Sequence, residues 1–349
     1  MARLGLAGVG RIGALHAETL HLLAGVDELF IADADPARAA AVAARLGEQP
    51  LDRVEALLAA DLDGLVIAAP TGAHADLVIR AVEAGVSVFC EKPVAGTVEE
   101  TLGVLQRVEK NEGRVQVGFQ RRFDPAFAAV REAVADGTVG RVHTLRAGTA
   151  DPAPPPPGYL ASSGGIFRDC SVHDFDAVRW VTGREIVEVY ATGSNQGEEF
   201  FAEYGDVDTA AAVLRLDDDA LAQVSATRYN GAGYDVRFEA LGSESSVAAG
   251  YDARTPLHSL EAESAAAWQP SRPVYGGFLD RFREAYVLEL EYFVDRLLGV
   301  AEPSPSACTV PEALEAVLVA EACEQSRRER RPVRMEQVRM QVRMEQVRR

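Results

Sequence analysis

The stretch Leu6-Ala7-Gly8-Val9-Gly10-Arg11-Ile12-Gly13 decides the fold. It follows an apolar run and opens a segment of helical spacing, so its three glycines fall at a strand-to-helix turn. There the first glycine permits a tight bend, the second lets a pyrophosphate approach the backbone, and the third lets helix and strand pack closely. The free N–H groups of the helix's first turn then form an anion site. Working outward, residues 4–7, 29–32, 65–68, 86–89 and 115–117 are near-continuous apolar runs, the pattern of strands buried on both faces of a parallel sheet. Between them lie alanine- and leucine-rich helices. Asp35 before Pro36 marks one helix start, and Thr97 with Glu100 forms a capping box at another. Strands and helices alternating in this way predict an α/β domain with an N-terminal Rossmann doubly wound parallel sheet.

Beyond residue 120 the pattern changes. Residues 184–192, 209–216, 220–228 and 236–241 are strand-like and closely spaced, with Asp217-Asp218-Asp219 as a hairpin tip. This predicts a C-terminal α+β domain with an open, mostly antiparallel sheet. The run 151–158 holds four consecutive prolines and must be a loop. Two helices follow near 278–298 and 310–328, separated by Pro303 and Pro305. The expected domains are therefore 1–120, binding dinucleotide, and 121–333, binding substrate and oligomerising, with the late helices free to pack back on the first. Residues 334–349 repeat Gln-Val-Arg-Met and Glu-Gln-Val-Arg and read as a frayed basic tail.

Composition narrows the function classes. A length of 349 residues suits two hydrophobic cores, and 48% hydrophobic with 25% charged residues suits a globular protein. A formal charge of −18 opposes binding to a phosphate backbone, so no nucleic-acid partner is expected. No apolar run is long enough for a bilayer, and Met1-Ala2-Arg3-Leu4 leads straight into the first strand, so a cytoplasmic location without membrane contact is expected. The spacing of Cys90, Cys170, Cys308 and Cys323 suggests reduced thiols and no structural metal.

The remaining candidates are placed by the sheet. Asp33 ends the second long apolar run, where a carboxylate accepts from the adenosine ribose hydroxyls and repels a 2′-phosphate; it predicts NAD as cofactor. Pro70-Thr71-Gly72-Ala73-His74 follows the strand of residues 65–68, at the carboxyl edge where ligands bind; Thr71 could line the nicotinamide end, whereas His74 reads as a surface or cap residue. The strand of residues 86–89 ends in Cys90-Glu91-Lys92-Pro93, setting a lysine where its ammonium can reach a reacting hydroxyl or the cofactor. The cofactor set is thus Gly8, Gly10, Arg11, Ile12, Gly13, Asp33, Thr71, Glu91 and Lys92. Farther along, Gly164-Gly165-Ile166-Phe167-Arg168-Asp169-Cys170-Ser171-Val172-His173-Asp174 puts Asp169 and His173 one turn apart if helical, a carboxylate oriented toward a general base.

The glycine turn, Glu91-Lys92-Pro93 and the Gly164 to Asp176 motif together resemble the Gfo/Idh/MocA oxidoreductase family, and within it the inositol 2-dehydrogenases. So do Asp151-Pro152-Ala153-Pro154-Pro155-Pro156 and Gly118-Phe119-Gln120-Arg121-Arg122-Phe123-Asp124. The resemblance runs from Arg3 to about Val333. It implies Lys92, Asp169 and His173 as the catalytic group. It adds Arg122, in preference to Arg121, and Tyr234 as substrate contacts, although Asn230-Gly231-Ala232-Gly233 departs from the expected segment before that tyrosine. It further implies a homotetramer assembled through the open sheet. The expected reaction is NAD-dependent oxidation of a secondary ring hydroxyl of a cyclitol, myo-inositol first. The alternatives are an NAD(P)-dependent sugar dehydrogenase or reductase with the same groups, and a silent dinucleotide-binding regulator.

Overall fold

The computed structural model describes residues 1–258 and 270–347; Arg348 and Arg349, the end of the repeated tail, lie outside the described residues. The chain divides into two compact units, Met1–Phe123 with Glu284–Leu314, and Asp124–Arg283 with Glu315–Arg349.

In the first unit the apolar runs form strands β1 (Ala2–Ala7), β2 (Val26–Ala32), β4 (Gly64–Ile67), β5 (Ser87–Glu91) and β6 (Val115–Gly118), joined by a short β3 (Gln49–Pro50) with no apolar run of its own. All pair in parallel in the order β3-β2-β1-β4-β5-β6, the doubly wound order in which the chain reverses beside β1. Asp35 and Thr97 cap their helices as the sequence predicts. The late helix Arg283–Leu297 belongs here because Leu290, Phe293 and Val294 are buried among Leu4, Leu6, Leu20 and Leu29. That burial carries the unit's boundary beyond the contiguous 1–120 segment.

The second unit contains β7 (Val142–Ala150), β8 (Ile186–Ser194), β9 (Thr209–Leu216), β10 (Leu221–Thr227), β11 (Asp235–Gly242), β12 (Ser246–Ala249) and β13 (Val333–Arg334). Their order is β12-β11-β7-β10-β9-β8-β13; β7 and β10 run parallel and the other neighbouring pairs antiparallel. Helices Pro125–Ala135 and Val172–Thr182 cover one face, where Phe127 meets Phe238 with ring centroids 5.7 Å apart. On the other face Tyr190, Val213 and Leu221 are exposed. Among the described residues, no helix is long and apolar enough to cross a membrane.

The tail corrects the sequence reading. Val333 pairs with Val189 on the edge of β8, and helix Met335–Val347 follows. Met335 and Val338 are buried, and Arg339 is paired with Glu315 at 2.7 Å. The apolar positions 335, 338 and 342 share one helical face, which the intervening arginines mask in the sequence. Burial of the first two alone is worth about 1.5–3 kcal/mol each. Truncation after Val333 should therefore lower the Tm by several degrees in differential scanning calorimetry; an unchanged Tm would show that the helix adds nothing to the fold.

Candidate active site

The glycine turn has the geometry its motif requires. Gly8 has φ +93°, and a Cβ there would lie 2.6 Å from the Ala69 backbone. A Cβ on Gly13 would meet the Gly8 carbonyl oxygen at 2.0 Å, so both positions are closed to larger residues. A Cβ on Gly10, in contrast, meets nothing within 4 Å. Gly10 is also the N-cap of helix Arg11–Leu22, which has no side-chain cap and no acidic residue in its first turn. The first amides are thus left for an anionic ligand, and the bare Gly10 leaves room for it to approach. Arg11 is exposed, whereas Ile12 packs into the core. The Asp33 carboxylate accepts from the Val9 N–H at 2.7 Å and the Asp35 N–H at 2.9 Å, fixing it beside the turn. Half-exposed Arg38 reaches the same carboxylate at only 3.4 Å. These residues fit the pyrophosphate and adenosine ribose of a dinucleotide.

Two loops of the same unit carry the other candidates. Thr71 begins a short 3₁₀ turn after β4. His74 is buried, not on the surface: Nδ1 lies 2.7 Å from the Pro93 carbonyl oxygen and Nε2 2.7 Å from that of Ala69. Glu91 ends β5 with its carboxylate turned inward, Oε1 lying 2.7 Å from His16 Nε2. Its side chain is therefore committed to a structural tie, and Lys92 follows half-buried. Arg122 is fully buried, its guanidinium bonded to Glu312 at 3.0 Å and to the Pro305 carbonyl at 3.3 Å. Those bonds give it a structural duty in its own unit that the resemblance did not suggest.

In the second unit the motif after Gly165 is a π-helical turn, Phe167–Ser171, running into helix Val172–Thr182. The wider turn departs from the α-helical spacing expected between Asp169 and His173. Asp169 Oδ1 accepts from the Tyr159 hydroxyl at 2.8 Å, and Oδ2 from Arg228 Nη2 at 2.7 Å. Arg228, only 3% exposed, also donates to Asp151 at 2.9 Å. Burial opposes its charge, but Cys170, Asp169 and Asp151 reverse that effect and hold the guanidinium's pKa above its usual range. Burial and the neighbouring Asp169 raise the Tyr159 hydroxyl, which stays a donor. His173 is half-buried on the helix that follows. Asp174 accepts from the Thr149 hydroxyl at 2.9 Å, a buried tie to β7. Tyr234 is buried, with its N–H donating to the Tyr275 carbonyl at 3.1 Å. Tyr159 and Arg228 were missed in the sequence because they lie 10 and 59 residues from Asp169. The only hint was the Pro154 to Pro157 run, which ends at the helix Pro157–Ser163 carrying Tyr159.

Residues 2–119 match the oxidoreductase family described as NAD-binding Rossmann fold, and residues 127–248 match the GFO/IDH/MocA C-terminal domain. The chain is 38% identical over 333 residues to an inositol 2-dehydrogenase of Rhizobium meliloti, covering 95% of this chain and 98% of that one. A crystal structure of a myo-inositol dehydrogenase from Corynebacterium glutamicum superposes with a TM-score of 0.86 at 36% identity, over 95% of this chain and 98% of that one. A scyllo-inositol dehydrogenase from Lactobacillus casei, solved with bound NAD(H) and scyllo-inositol, gives 0.84 at 27% identity, over 96% and 99%.

The glycines give a paired expectation. Gly13→Ala should unfold the turn and lower the Tm, whereas Gly10→Ala should leave the Tm unchanged and weaken NAD binding about tenfold or more by calorimetric titration. Full NAD affinity in Gly10→Ala would place the dinucleotide elsewhere. Asp33→Ser should reduce the ratio of NAD to NADP efficiency by on the order of tenfold or more, because the repelling carboxylate is gone; an unaltered ratio would remove Asp33 from cofactor selection.

Proposed function

The chain belongs to the Gfo/Idh/MocA oxidoreductases, and from that membership we propose that it oxidises a secondary ring hydroxyl of a cyclitol, converting myo-inositol to the 2-ketone with NAD. The observation that carries the mechanism is the Asp169 carboxylate, held through both oxygens by Tyr159 and Arg228 just before His173. With each oxygen already receiving a strong donor, Asp169 acts as a fixed negative charge. It favours the protonated imidazole that His173 becomes on taking the hydroxyl proton. Lys92 brings an ammonium to the same oxygen and stabilises the developing alkoxide. As the proton leaves to His173, the ring C–H electron pair departs as hydride and the carbon becomes a carbonyl. NAD, when bound, supplies the hydride acceptor at its nicotinamide ring. Tyr234 and Arg122 complete the proposed substrate set, and Thr71 lies toward the cofactor.

The physiological direction is oxidative and catabolic, in the cytoplasm. The assembly is a homotetramer through the uncovered sheet face, where Tyr190, Val213 and Leu221 are exposed while alternate positions such as Ala191, Leu214 and Ala222 are buried. Tyr190 and Val213 are register partners on this face, with Leu221 on the next strand, and such an exposed apolar patch suits a second copy of the same face.

NADH formation measured over myo-inositol, scyllo-inositol and glucose should be greatest with a cyclitol; turnover confined to glucose would assign the sugar alternative. His173→Ala should lower kcat by on the order of 10² to 10⁴ with NAD affinity near normal. Lys92→Ala should be at least as harmful. Retention of most of kcat in His173→Ala would move the base to another residue.

A further inference from the structure

Two buried histidines that the mechanism does not use grip the chain on either side of Lys92. His16 is fully buried and His74 is 2% exposed. His16 stands in the second turn of helix Arg11–Leu22, and its Nε2 is bonded to the Glu91 carboxylate at 2.7 Å. Its ring is fixed edge-on between Phe89 and Tyr286, each with centroids 5.8 Å away. Among the described residues His16 Nδ1 has no hydrogen-bond partner; an ionised carboxylate only accepts, so Nε2–H donates to Glu91. The other oxygen of Glu91 faces Gly118, where a Cβ would lie 3.0 Å from Oε2, so the bare glycine leaves the carboxylate room to lie there.

On the far side of the lysine, the His74 ring sits between two backbone carbonyls, those of Ala69 and Pro93, each at 2.7 Å. Carbonyl oxygens only accept. The neutral ring donates to one of them and the doubly protonated ring to both. The ring thus spans the loop after β4, which carries Thr71, and the loop after β5, which carries Lys92. The one residue between these two anchored positions, Glu91 and Pro93, is Lys92.

We propose that His16 and His74 are positioning residues for Lys92: His16 registers it to the helix whose N-terminus receives the dinucleotide, and His74 to the loop that begins at Thr71. This rests on the reading of Lys92 as a catalytic residue. Any buried imidazole needs hydrogen-bond partners; what sets these two apart is that their partners flank one residue, Lys92. Here the partners of the two rings are the residue before the lysine, the residue after it and the neighbouring loop. Because catalysis depends steeply on placement, a shift of about 1 Å in the ammonium is enough to cost on the order of 10² in rate.

The test is a double-mutant cycle on kcat with myo-inositol and NAD, with single-turnover NADH formation where rates are low, and NAD Kd and Tm recorded for each variant. His74→Ala and His16→Ala are each expected to lower kcat at least tenfold with KM for NAD changed less than threefold. In a Lys92→Ala background neither should lower kcat further, because the group they position is absent. His16→Gln, whose amide can still donate to Glu91, should recover part of the loss. If an alanine variant does not fold, His16→Gln and His74→Asn carry the same cycle. Losses that multiply in the Lys92→Ala background would overturn the proposal while leaving Lys92 catalytic. Full activity in Lys92→Ala itself would overturn both the reading of the lysine and the proposal built on it.

Discussion

The approach of helix Arg11–Leu22 to the first strand turn is the contact on which the rest depends. It is so close that a Cβ on Gly13 would stand 2.0 Å from the Gly8 carbonyl oxygen. Only with that approach does the helix begin directly beneath the turn, with Gly10 as its N-cap and no side-chain cap. The same turn orients the Val9 N–H toward Asp33, which ties the end of β2 to the loop at 2.7 Å. One helical turn farther on, His16 carries the registration to Glu91 and the end of β5. A single backbone contact thus sets the helix N-terminus, the Asp33 carboxylate and the strand end that presents Lys92. The energetic logic is that of a packed interior: small residues at the crossing let rigid elements share one fixed geometry.

The second unit solves a different problem, keeping a carboxylate charged where it is 11% exposed. Arg228 lies between Asp151 and Asp169, and Tyr159 donates to the remaining oxygen of Asp169. Burying such a group without partners would be costly, and removing one partner leaves an uncompensated charge. The network also connects otherwise separate segments: the end of β7, the helix after the proline run, the π turn and the end of β10. A change in any of them acts on Asp169 through charge and hydrogen bonds and needs no contact with substrate.

Much of this was legible in the sequence, for physical reasons that differ by element. Gly8, Gly10, Gly13 and Asp33 were readable because a parallel βαβ unit forces a strict order of apolar run, turn and helix. The hairpin between β9 and β10 was readable from its three aspartates, and Asp219 duly takes φ 69°. Strand β7 was not, although Asp136-Gly137 and Gly140 mark a turn before it, because His143, Thr144 and Arg146 break up its apolar pattern. The tail was misread because a repeat of arginines hides one buried apolar face. His74 was misread as a surface or cap residue, since nothing local reveals that two carbonyls from different loops converge on its ring. Tyr159 and Arg228 were invisible for the same reason: their partners are close only after folding.

The central claim is direct hydride transfer from a cyclitol ring carbon to NAD. Myo-inositol bearing deuterium on its ring carbons, turned over with unlabelled NAD, should transfer one deuterium to the reduced nicotinamide, seen by mass spectrometry and proton NMR of the isolated NADH. It should also show a primary isotope effect in single turnover. Unlabelled NADH formed from the deuterated substrate, or no reduction of NAD by any cyclitol, would contradict the account.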